Sequence, residues 1–468
     1  MDITTALSGQ GGLTGVQWLL NEPPAREALR ATLAGMLEPG VEIGAMKLDR
    51  AKYKPGRYMQ AYYALELSDA SGTRTRLIEV NWLPPGKPDP RGAPETSPAM
   101  QSEIAERGLA APFRALAGEN AEWGIWVQVA PLDAEYPQLA RLADPAYVRE
   151  LLAADPTVQS DAAGYRITPI RYRPGQRHVL RYDPLDANGA SDPAGTLFAK
   201  TYNSDKGART FSTATTVSDW LAQQNIGIGA ARPLAYLPAD NLVIYPRVTG
   251  TPLSDLLRTP GPATDAHLRS AGAAIRALHA TPESLIQLQP HAFPKEVKSI
   301  LSAAEYVHPL LPDTGAAIKD LVARAQALHE RLPAVTPSFA YGDFKADHLW
   351  VTPDGLTLID FDTCYLSDPM IDLGKFLADI RFWYAGYGQP GAEDAQRAFL
   401  AGYGDLSDEQ ITRARLYEGL VLTKSTVRRV KLFDPAWAAR VSDLIAQAAG
   451  AITQAEASAP TQTLAQNA

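Results

Sequence analysis

Strand-like runs and helical periods follow one another along the first part of the chain, whereas the last part is almost entirely helical in pattern. Apolar residues that recur every three or four positions are typical of helices, and short apolar or alternating runs are typical of strands. The pattern predicts strands at about 41–48, 58–67, 75–82 and 123–129. It predicts helices at about 1–36, 99–116 and 136–153. The first part of the chain should therefore be of mixed α and β type.

A second strand-rich region is predicted to follow, and a helical region comes after it. The strands of this region are expected at about 166–172, 179–182, 197–200 and 242–248, with a helix at about 207–224. Beyond it, the pattern predicts helices at about 266–280, 315–331, 373–384, 392–403, 407–430 and 435–452. The segment 83–98 is rich in Pro and Gly and is expected to be a loop. The tail from 455 is mostly small and polar, which predicts disorder.

A short motif occurs twice in the chain. Tyr53–Arg57 reads YKPGR and Tyr172–Gln176 reads YRPGQ, and each opens a predicted strand pair that is followed by a third strand. Alignment of the two sets of strands places Val80 where Lys200 stands. Two interpretations are open: a duplicated subdomain whose first copy has lost its lysine, or a hairpin device that proteins commonly use.

Composition restricts the classes of function. The 468 residues carry a net charge of −8 with a pI near 5.5, which argues against nucleic acid or an anionic membrane surface as the partner. The lone Cys364 excludes a disulfide framework and a cysteine-based zinc site. No apolar run is long enough to span a bilayer, and the start of the chain does not resemble an export signal. We therefore expect a cytoplasmic protein without membrane partners.

The densest chemistry lies between Phe339 and Ile380. A Pro-Asp-Gly turn at 353–355 separates two short apolar runs and predicts a hairpin. Because a hairpin brings its flanking ends together, Asp343 and His348 should lie near Asp360. Carboxylates concentrated in this way repel one another unless a hard cation lies among them, and Mg²⁺ with a phosphate ester is the usual solution.

Three segments in this stretch resemble motifs of a known family. They are Tyr341–His348 (YGDFKADH), Ile359–Asp362 (IDFD) and Ser367–Leu373 (SDPMIDL). In this order and at these distances they resemble the aminoglycoside phosphotransferase and choline kinase family, whose members have a protein-kinase-like fold. The resemblance extends over about residues 162–450. In the family the first segment begins with His and ends with a metal-binding Asn, where this chain has Tyr341 and His348.

The resemblance implies roles for the residues of these segments. Asp343 would be the catalytic base beside the acceptor hydroxyl, and Lys345 would steady the transferred phosphate. Asp360 would hold Mg²⁺ on the nucleotide phosphates, with His348 as a further metal ligand through its imidazole nitrogen. Two residues of the third segment, Asp372 and Asp368, would support the catalytic loop structurally.

The predicted strand-rich region would supply the nucleotide contacts. Lys200 closes an apolar strand and resembles the family lysine that contacts the α- and β-phosphates. The loop before it contains Gly175, whose backbone can approach phosphates closely, and Arg177, which can add positive charge. Hinge backbone from Pro246 through Arg247 to Val248 would meet the base of the nucleotide. The helix predicted at about 207–224 contains no Glu to pair with the lysine.

The sequence therefore predicts an α+β, protein-kinase-like fold with a small β-rich lobe, a large helical lobe and an extra N-terminal α+β subdomain. Its predicted regions are 1–161, 162–248, 249–454 and 455–468. The predicted function is transfer of the γ-phosphoryl group of ATP or GTP, with Mg²⁺, to a hydroxyl of a small molecule such as an aminoglycoside, sugar, amino alcohol or natural product. The alternative is a degenerate kinase fold that binds a nucleotide or a partner without turnover.

Overall fold

The structure, a computed structural model, describes residues 1–84 and 98–459. Its helices are α1 (Ile3–Ser8), α2 (Gly12–Asn21), α3 (Pro23–Met36), α4 (Pro98–Glu106), α5 (Leu139–Leu142), α6 (Pro145–Ala154), α7 (Lys206–Gln224), α8 (Leu253–Leu256), α9 (Pro262–His279), α10 (Phe293–Ala304), α11 (Val307–Leu310), α12 (Pro312–Arg331), α13 (Met370–Tyr387), α14 (Ala392–Tyr403), α15 (Asp408–Arg429) and α16 (Trp437–Ser458).

The strands follow the same order along the chain. They are β1 (Glu42–Lys54), β2 (Tyr58–Asp69), β3 (Gly72–Trp82), β4 (Ala117–Asn120), β5 (Ile125–Val129), β6 (Gly164–Arg171), β7 (Val179–Leu185), β8 (Leu197–Thr201), β9 (Ile228–Ala230), β10 (Ala235–Leu237), β11 (Leu242–Pro246), β12 (Thr251–Pro252), β13 (Ser338–Ala340), β14 (Leu349–Thr352), β15 (Gly355–Leu358) and β16 (Tyr365–Ser367). The predicted mixed α+β class is confirmed.

The described chain forms two compact units. The first consists of Met1–Phe211, Pro233–Arg247 and Lys431–Pro435. The second consists of Ser212–Arg232, Val248–Val430 and the chain from Ala436. The four regions drawn from the sequence stay a prediction, because this division follows different boundaries.

Two five-stranded sheets in the first unit share one strand order. The first sheet runs β1-β2-β3-β5-β4, and the second runs β6-β7-β8-β11-β10. Each sheet follows a helix, α3 or α6, and each has a helix, α4 or α7, between its third and fourth strands. The turn glycines also correspond, since Gly56 has φ of 69° and Gly175 has φ of 72°. This repeated topology supports the duplication hypothesis over a shared hairpin device.

The register of the strands corrects one detail of the repeat. In the first sheet Tyr63 pairs with Ile78, and in the second sheet the corresponding Tyr182 pairs with Leu197. Counting along the two ladders from these pairs shows that Asn81, not Val80, is the residue of the first sheet that is equivalent to Lys200 in the second. Side chains alternate between the faces of a strand, so this shift by one residue matters. In the first copy an amide therefore stands where the second has an ammonium group.

Several predicted boundaries were wrong. The first helix is divided into α1, α2 and α3, and Gly9, Gly12 and Pro23 stand at the breaks. The helix expected to 116 ends at Glu106, shortly before Gly108 adopts a positive φ. At the other end, α16 continues to Ser458, so 455–458 are helical and not disordered. The predicted loop at 83–98 and the tail from 460 lie mostly outside the described residues.

In the second unit, helices surround the small hairpin that carries the motifs. Strands β14 and β15 pair through Thr352 and Gly355, and the hairpin extends into a sheet of order β12-β14-β15-β9. Helix α13 is buried along most of its length and packs on α15. This packing places one face of α13 against the loop that precedes β14. The hairpin predicted from the Pro-Asp-Gly turn is present.

Candidate active site

The catalytic-loop candidate, Tyr341–His348, has at its second position a glycine that no other residue could replace without strain. Gly342 has φ of 76°, a value that L-residues with a side chain rarely adopt. A Cβ atom at this position would lie 2.5 Å from the carbonyl oxygen of Thr363. The glycine therefore allows the loop to turn closely against the segment after β15, and Asp343 follows directly.

Two lysines contact the Asp343 carboxylate. Lys345 Nζ lies 2.9 Å from Oδ2, and Lys375 Nζ lies 2.9 Å from Oδ1. Burial disfavours the charge on Asp343, but Lys375, His348 and Lys345 outweigh burial and hold the pKa of the carboxyl well below its usual range. Burial also disfavours the charge on Lys375, yet contact with Asp343 raises the pKa of its ammonium group. Both groups are therefore charged at neutral pH.

Helix α13 holds the loop at three points along one face. Asp372 accepts hydrogen bonds from the backbone N–H groups of Tyr341 (2.7 Å) and Gly342 (2.8 Å). One turn later Lys375 contacts Asp343, and one further turn along Asp379 accepts from the N–H of Ala346 at 2.7 Å. Residues at this spacing lie on the same side of a helix.

Further contacts hold the N-terminal end of α13. The His279 ring lies 3.2 Å from Asp372 Oδ2, which assigns that histidine a structural contact. Asp368 Oδ1 accepts from the N–H of Met370 at the start of α13, and its other oxygen lies 3.2 Å from Arg413. The two aspartates predicted to give structural support are thus both engaged with backbone groups.

His348 lies between the two carboxylates that the sequence singled out. Its Nδ1 is 3.6 Å from Asp343 Oδ2, and its Nε2 is 3.5 Å from Asp360 Oδ2. Its side chain is buried, and the Tyr341 hydroxyl lies 3.4 Å from Nδ1. Asp343 and His348 therefore lie near Asp360, as the hairpin argument predicted, and Lys345 contacts Asp343.

Asp360 has a strained backbone conformation. Its φ is 71°, in the left-handed region that residues other than glycine rarely occupy. Such strain is concentrated at functional sites, where the surrounding structure holds it in place. In this conformation the Asp360 carboxylate lies at the end of the hairpin beside His348, with 19% of its side chain accessible.

These residues fit Mg²⁺ better than a metal held entirely by protein. Within residues 1–84 and 98–459, no group of three or more His, Cys, Asp or Glu side chains is placed to hold a metal ion. Mg²⁺ usually takes one or two carboxylates and obtains its other ligands from phosphates and water. The carboxylate of Asp360 suits that role, and the nitrogen of His348 is the less suitable ligand because Mg²⁺ prefers oxygen.

The nucleotide-side candidates lie in the first unit. Lys200 pairs in register with Val179 and Val243 in the middle of the second sheet, and its Nζ lies 5.3 Å from the ring centroid of Tyr245. Gly175 and Arg177 lie in the turn between β6 and β7, and β7 is a neighbour of that strand. The lysine therefore lies on a strand of the second sheet, and the glycine and arginine lie in a turn of the same sheet.

The hinge candidates are more constrained than the sequence suggested. Pro246 ends β11 and has no backbone N–H to donate. The N–H of Arg247 donates to the carbonyl of Thr196 at 3.2 Å, so it is already engaged within the first unit. Val248 is the first residue of the next segment of the second unit. Of these three residues, Val248 is therefore the candidate donor to a nucleotide base.

Two charged side chains in the helix after the hairpin region are engaged with partners. Arg429 donates to Asp379 and lies 3.4 Å from Asp347. Glu418 is 0% exposed and pairs with Arg381. The pattern of one helix viewed alone does not reveal which of its faces the neighbouring helices cover.

The sequence reasoning also missed Lys375 and Asp379. A signal for them was present, because both lie in the otherwise apolar run between Met370 and Ile380. With Asp372 they fall at helical spacing on one face, and ionisable residues on a buried face need partners.

Comparison with known proteins agrees with the motifs. Residues 190–417 match the sequence model of the phosphotransferase enzyme family, and all three motif segments lie within that match. The predicted resemblance is confirmed for this segment, which carries the sequence pattern of a phosphotransferase. No curated protein sequence matches the chain.

Several solved structures are similar to the chain. The GDP and kanamycin complex of APH(2")-IIia has a TM-score of 0.43 and 16% identity, and the match covers 66% of this chain and 98% of that one. A choline/ethanolamine kinase family protein from Mesorhizobium loti has a TM-score of 0.41 and 15% identity, covering 68% and 95%. An aminoglycoside phosphotransferase from Streptomyces rimosus, with ADP and streptomycin, has a TM-score of 0.39 and 20% identity, covering 60% and 98%.

In the described part of the chain, none of the helices combines the length and the apolar character that crossing a bilayer requires.

Proposed function

We propose that the protein transfers the γ-phosphoryl group of ATP or GTP to a hydroxyl of a small molecule. The observation that carries this proposal is the placement of Asp343 and Asp360 on either side of His348, inside the segment that matches the phosphotransferase family. One carboxylate is held by lysines and by α13, and the other is presented from a strained backbone. This arrangement suits a base and a metal ligand that act side by side.

In this proposal Asp343 accepts a hydrogen bond from the acceptor hydroxyl and aims its oxygen at the phosphorus. Its lowered pKa keeps it ionised, so that it orients the hydroxyl before transfer and takes the proton late. Lys345 and Lys375 hold the carboxylate in place, and Lys345, the more exposed of the two, is the candidate to contact the transferred phosphate. Lys200, Gly175 and Arg177 are the proposed contacts to the nucleotide phosphates.

Asp360, with His348, would hold Mg²⁺. When bound, this ion would neutralise the charge that develops on the phosphate oxygens. Asp372, Asp379 and Asp368 do not touch substrate in this mechanism, because they hold the loop and the start of α13.

The charges around Asp343 favour a neutral acceptor such as a sugar or polyol. Glu296 lies 2.7 Å from Lys424 and 3.3 Å from the His291 ring, and Asp379 pairs with Arg429. An acceptor that carries ammonium groups, such as an aminoglycoside, would have to break these internal ion pairs to use Glu296 or Asp379 as a carboxylate partner. The energetic cost of leaving a buried charge unpaired makes that exchange unfavourable.

Arginine side chains of the protein lie over three aromatic rings of α13. The Arg429 guanidinium lies 4.1 Å from the ring centroid of Phe382 and 4.8 Å from that of Trp383. Arg258 lies 4.2 Å from the ring centroid of Tyr387. Cation–π contact is the usual means of binding a quaternary amine, and here arginines of the chain use these faces. A choline-like acceptor is therefore also disfavoured.

The direct test is release of ADP or GDP, measured with Mg²⁺, either nucleotide and a panel of acceptors. The panel contains neutral sugars and polyols, an aminoglycoside, choline and ethanolamine. Phosphorylation of a neutral polyol with a higher kcat/KM than any cationic acceptor is the expected result. A preference for the aminoglycoside or choline would reject the neutral-acceptor proposal while supporting phosphotransfer itself.

Binding without turnover is the second candidate, because the proposed base is already ion-paired with two lysines and His348 replaces the family Asn. Thermal melting with and without Mg²⁺ and nucleotide separates the two. Stabilisation that requires both components, without phosphorylation of any acceptor, would favour this alternative.

A further inference from the structure

Asp133 follows the last strand of the first sheet along the chain, but its side chain contacts the turn at Gly175, which connects β6 and β7 of the second sheet. It follows β5, and its Oδ2 accepts a hydrogen bond from the N–H of Gly175 at 2.9 Å. The same oxygen lies 2.7 Å from His178 Nε2, at the other end of that turn. Asp133 is 2% exposed and His178 is 1% exposed, so this hydrogen bond joins two buried polar groups. The other oxygen of Asp133, Oδ1, accepts from the N–H of Glu135 at 3.0 Å.

Neighbouring residues confine the same turn. The His178 ring packs on Tyr172 at a centroid distance of 5.7 Å and meets the edge of Tyr136 at 5.2 Å. The Tyr172 hydroxyl donates to the carbonyl of Leu132, directly before Asp133. The segment after β5 and the turn between β6 and β7 are therefore joined by several buried contacts.

The contacts continue to the strand that carries Lys200. The N–H of His178 donates to Thr201 Oγ1 at 3.1 Å, and the N–H of Thr201 donates back to the carbonyl of His178 at 3.0 Å. Gln138 Nε2 donates to the carbonyl of Tyr202 at 2.8 Å. A displacement of Asp133 would therefore change the backbone conformation both at the Gly175 turn and at Thr201, the residue after Lys200.

Asp133, Gly175 and His178 lie outside the matched family segment, which begins at residue 190, whereas Thr201 and Tyr202 lie inside it. Within the turn, Gly175 has φ of 72°, and glycine has more backbone freedom than any other residue. An external carboxylate that accepts its N–H removes that freedom before a ligand arrives, and preorganisation of this kind lowers the entropic cost of binding.

We propose that Asp133 is a positioning residue through which the N-terminal sheet holds the Gly175 turn and the Lys200 strand in the conformation that binds nucleotide phosphates. This inference rests on the proposed function. It assigns the N-terminal sheet a task in nucleotide binding although that sheet has no lysine of its own at the equivalent position.

The test uses the full chain with Asp133→Asn, which keeps the size of the side chain and removes its charge. The KM for the nucleotide should rise about tenfold, because a hydrogen bond to a charged acceptor is lost, while kcat and the KM for the acceptor change little. The backbone N–H of Gly175 should exchange with solvent faster than in the wild-type chain. Asp144→Asn is the matched control, since Asp144 caps α6 and pairs with Arg107 in the same unit without touching the turn.

An equal loss of thermal stability in both variants with an unchanged nucleotide KM in Asp133→Asn would reduce Asp133 to a structural residue and overturn the inference. An unchanged exchange rate at Gly175 would overturn it as well. A wild-type chain that neither melts at higher temperature with Mg²⁺ and nucleotide nor releases ADP would instead reject the proposed function, and the positioning role with it.

Discussion

Lys375 Nζ lies 2.9 Å from Asp343 Oδ1, which connects the middle of a buried helix to the proposed catalytic base. The lysine is on the same helix face as Asp372 and Asp379, which hold the backbone on either side of that base. One face of α13 thus determines both the conformation of the loop and the charge of its carboxylate. The properties of the base therefore depend on residues of the helix after the hairpin.

Replacing Lys375 with Met should shift the pH dependence of turnover. The lysine helps to hold the pKa of Asp343 below its usual range, so its removal should raise that pKa. Because the ionised carboxylate is the active form, the acidic limb of the kcat/KM profile should move to higher pH. Lys319→Met, at an exposed position on α12, serves as the control and should leave the limb in place. An unshifted limb in Lys375→Met would show that Lys345 and His348 alone set the pKa.

Asp343→Ala and Asp360→Ala should fail in different ways. Loss of the base should lower kcat by about a hundredfold or more, with nucleotide binding largely intact. Loss of the metal ligand should in addition weaken binding of the nucleotide in the presence of Mg²⁺. Titration calorimetry with ATP and Mg²⁺, alongside turnover, distinguishes the two variants. An equal collapse of nucleotide affinity in both would contradict these separate roles.

Two glycines of the second unit should respond oppositely to alanine. Gly342→Ala adds a Cβ where φ is 76° and a carbonyl oxygen lies 2.5 Å away, so the loop must move and turnover should be largely lost. Gly386 lies inside α13 with nothing within 4 Å of an added Cβ. Gly386→Ala should therefore stabilise the chain by up to about 1 kcal/mol and leave turnover unchanged. Melting temperature and ADP release, measured on both variants, check this contrast.

Glu296 should contribute to the acid stability of the second unit. Burial alone would raise its pKa, but His291 and Lys424 outweigh burial and lower the pKa from 4.5 to about 2. A carboxyl whose pKa is lower in the folded state stabilises the fold above its unfolded pKa. That contribution is lost as pH falls from about 4.5 to about 2 and is at most about 3 kcal/mol.

Urea unfolding of Glu296→Gln as a function of pH measures this contribution. The wild-type chain should be more stable than the variant by a constant amount above pH 5, and the difference should shrink as pH falls through the window given above. Glu283→Gln, at an exposed position, is the control and should not reproduce the effect. A difference that stays constant down to pH 2 would assign the loss to packing and not to charge.

The sequence by itself was sufficient for the parts of the protein that local rules control. The hairpin before Asp360 follows from a Pro-Asp-Gly turn between apolar runs, and the loop motif and its spacing placed Asp343 and His348 beside that aspartate. Motif order also identified the phosphotransferase pattern that the family match confirms. These features depend on residues close together in the chain, where turn chemistry and side-chain spacing leave few alternatives.

Tertiary structure alone decided which charges meet. Lys375 reaches Asp343, Arg429 reaches Asp379 and Asp133 reaches Gly175 because helices and strands far apart in sequence pack against one another. Helical or strand periodicity shows that a residue lies on a given face, but not which element covers that face. The shared strand order of the two sheets was likewise visible only after the chain had folded, because pairing between distant strands leaves little trace in a single sequence.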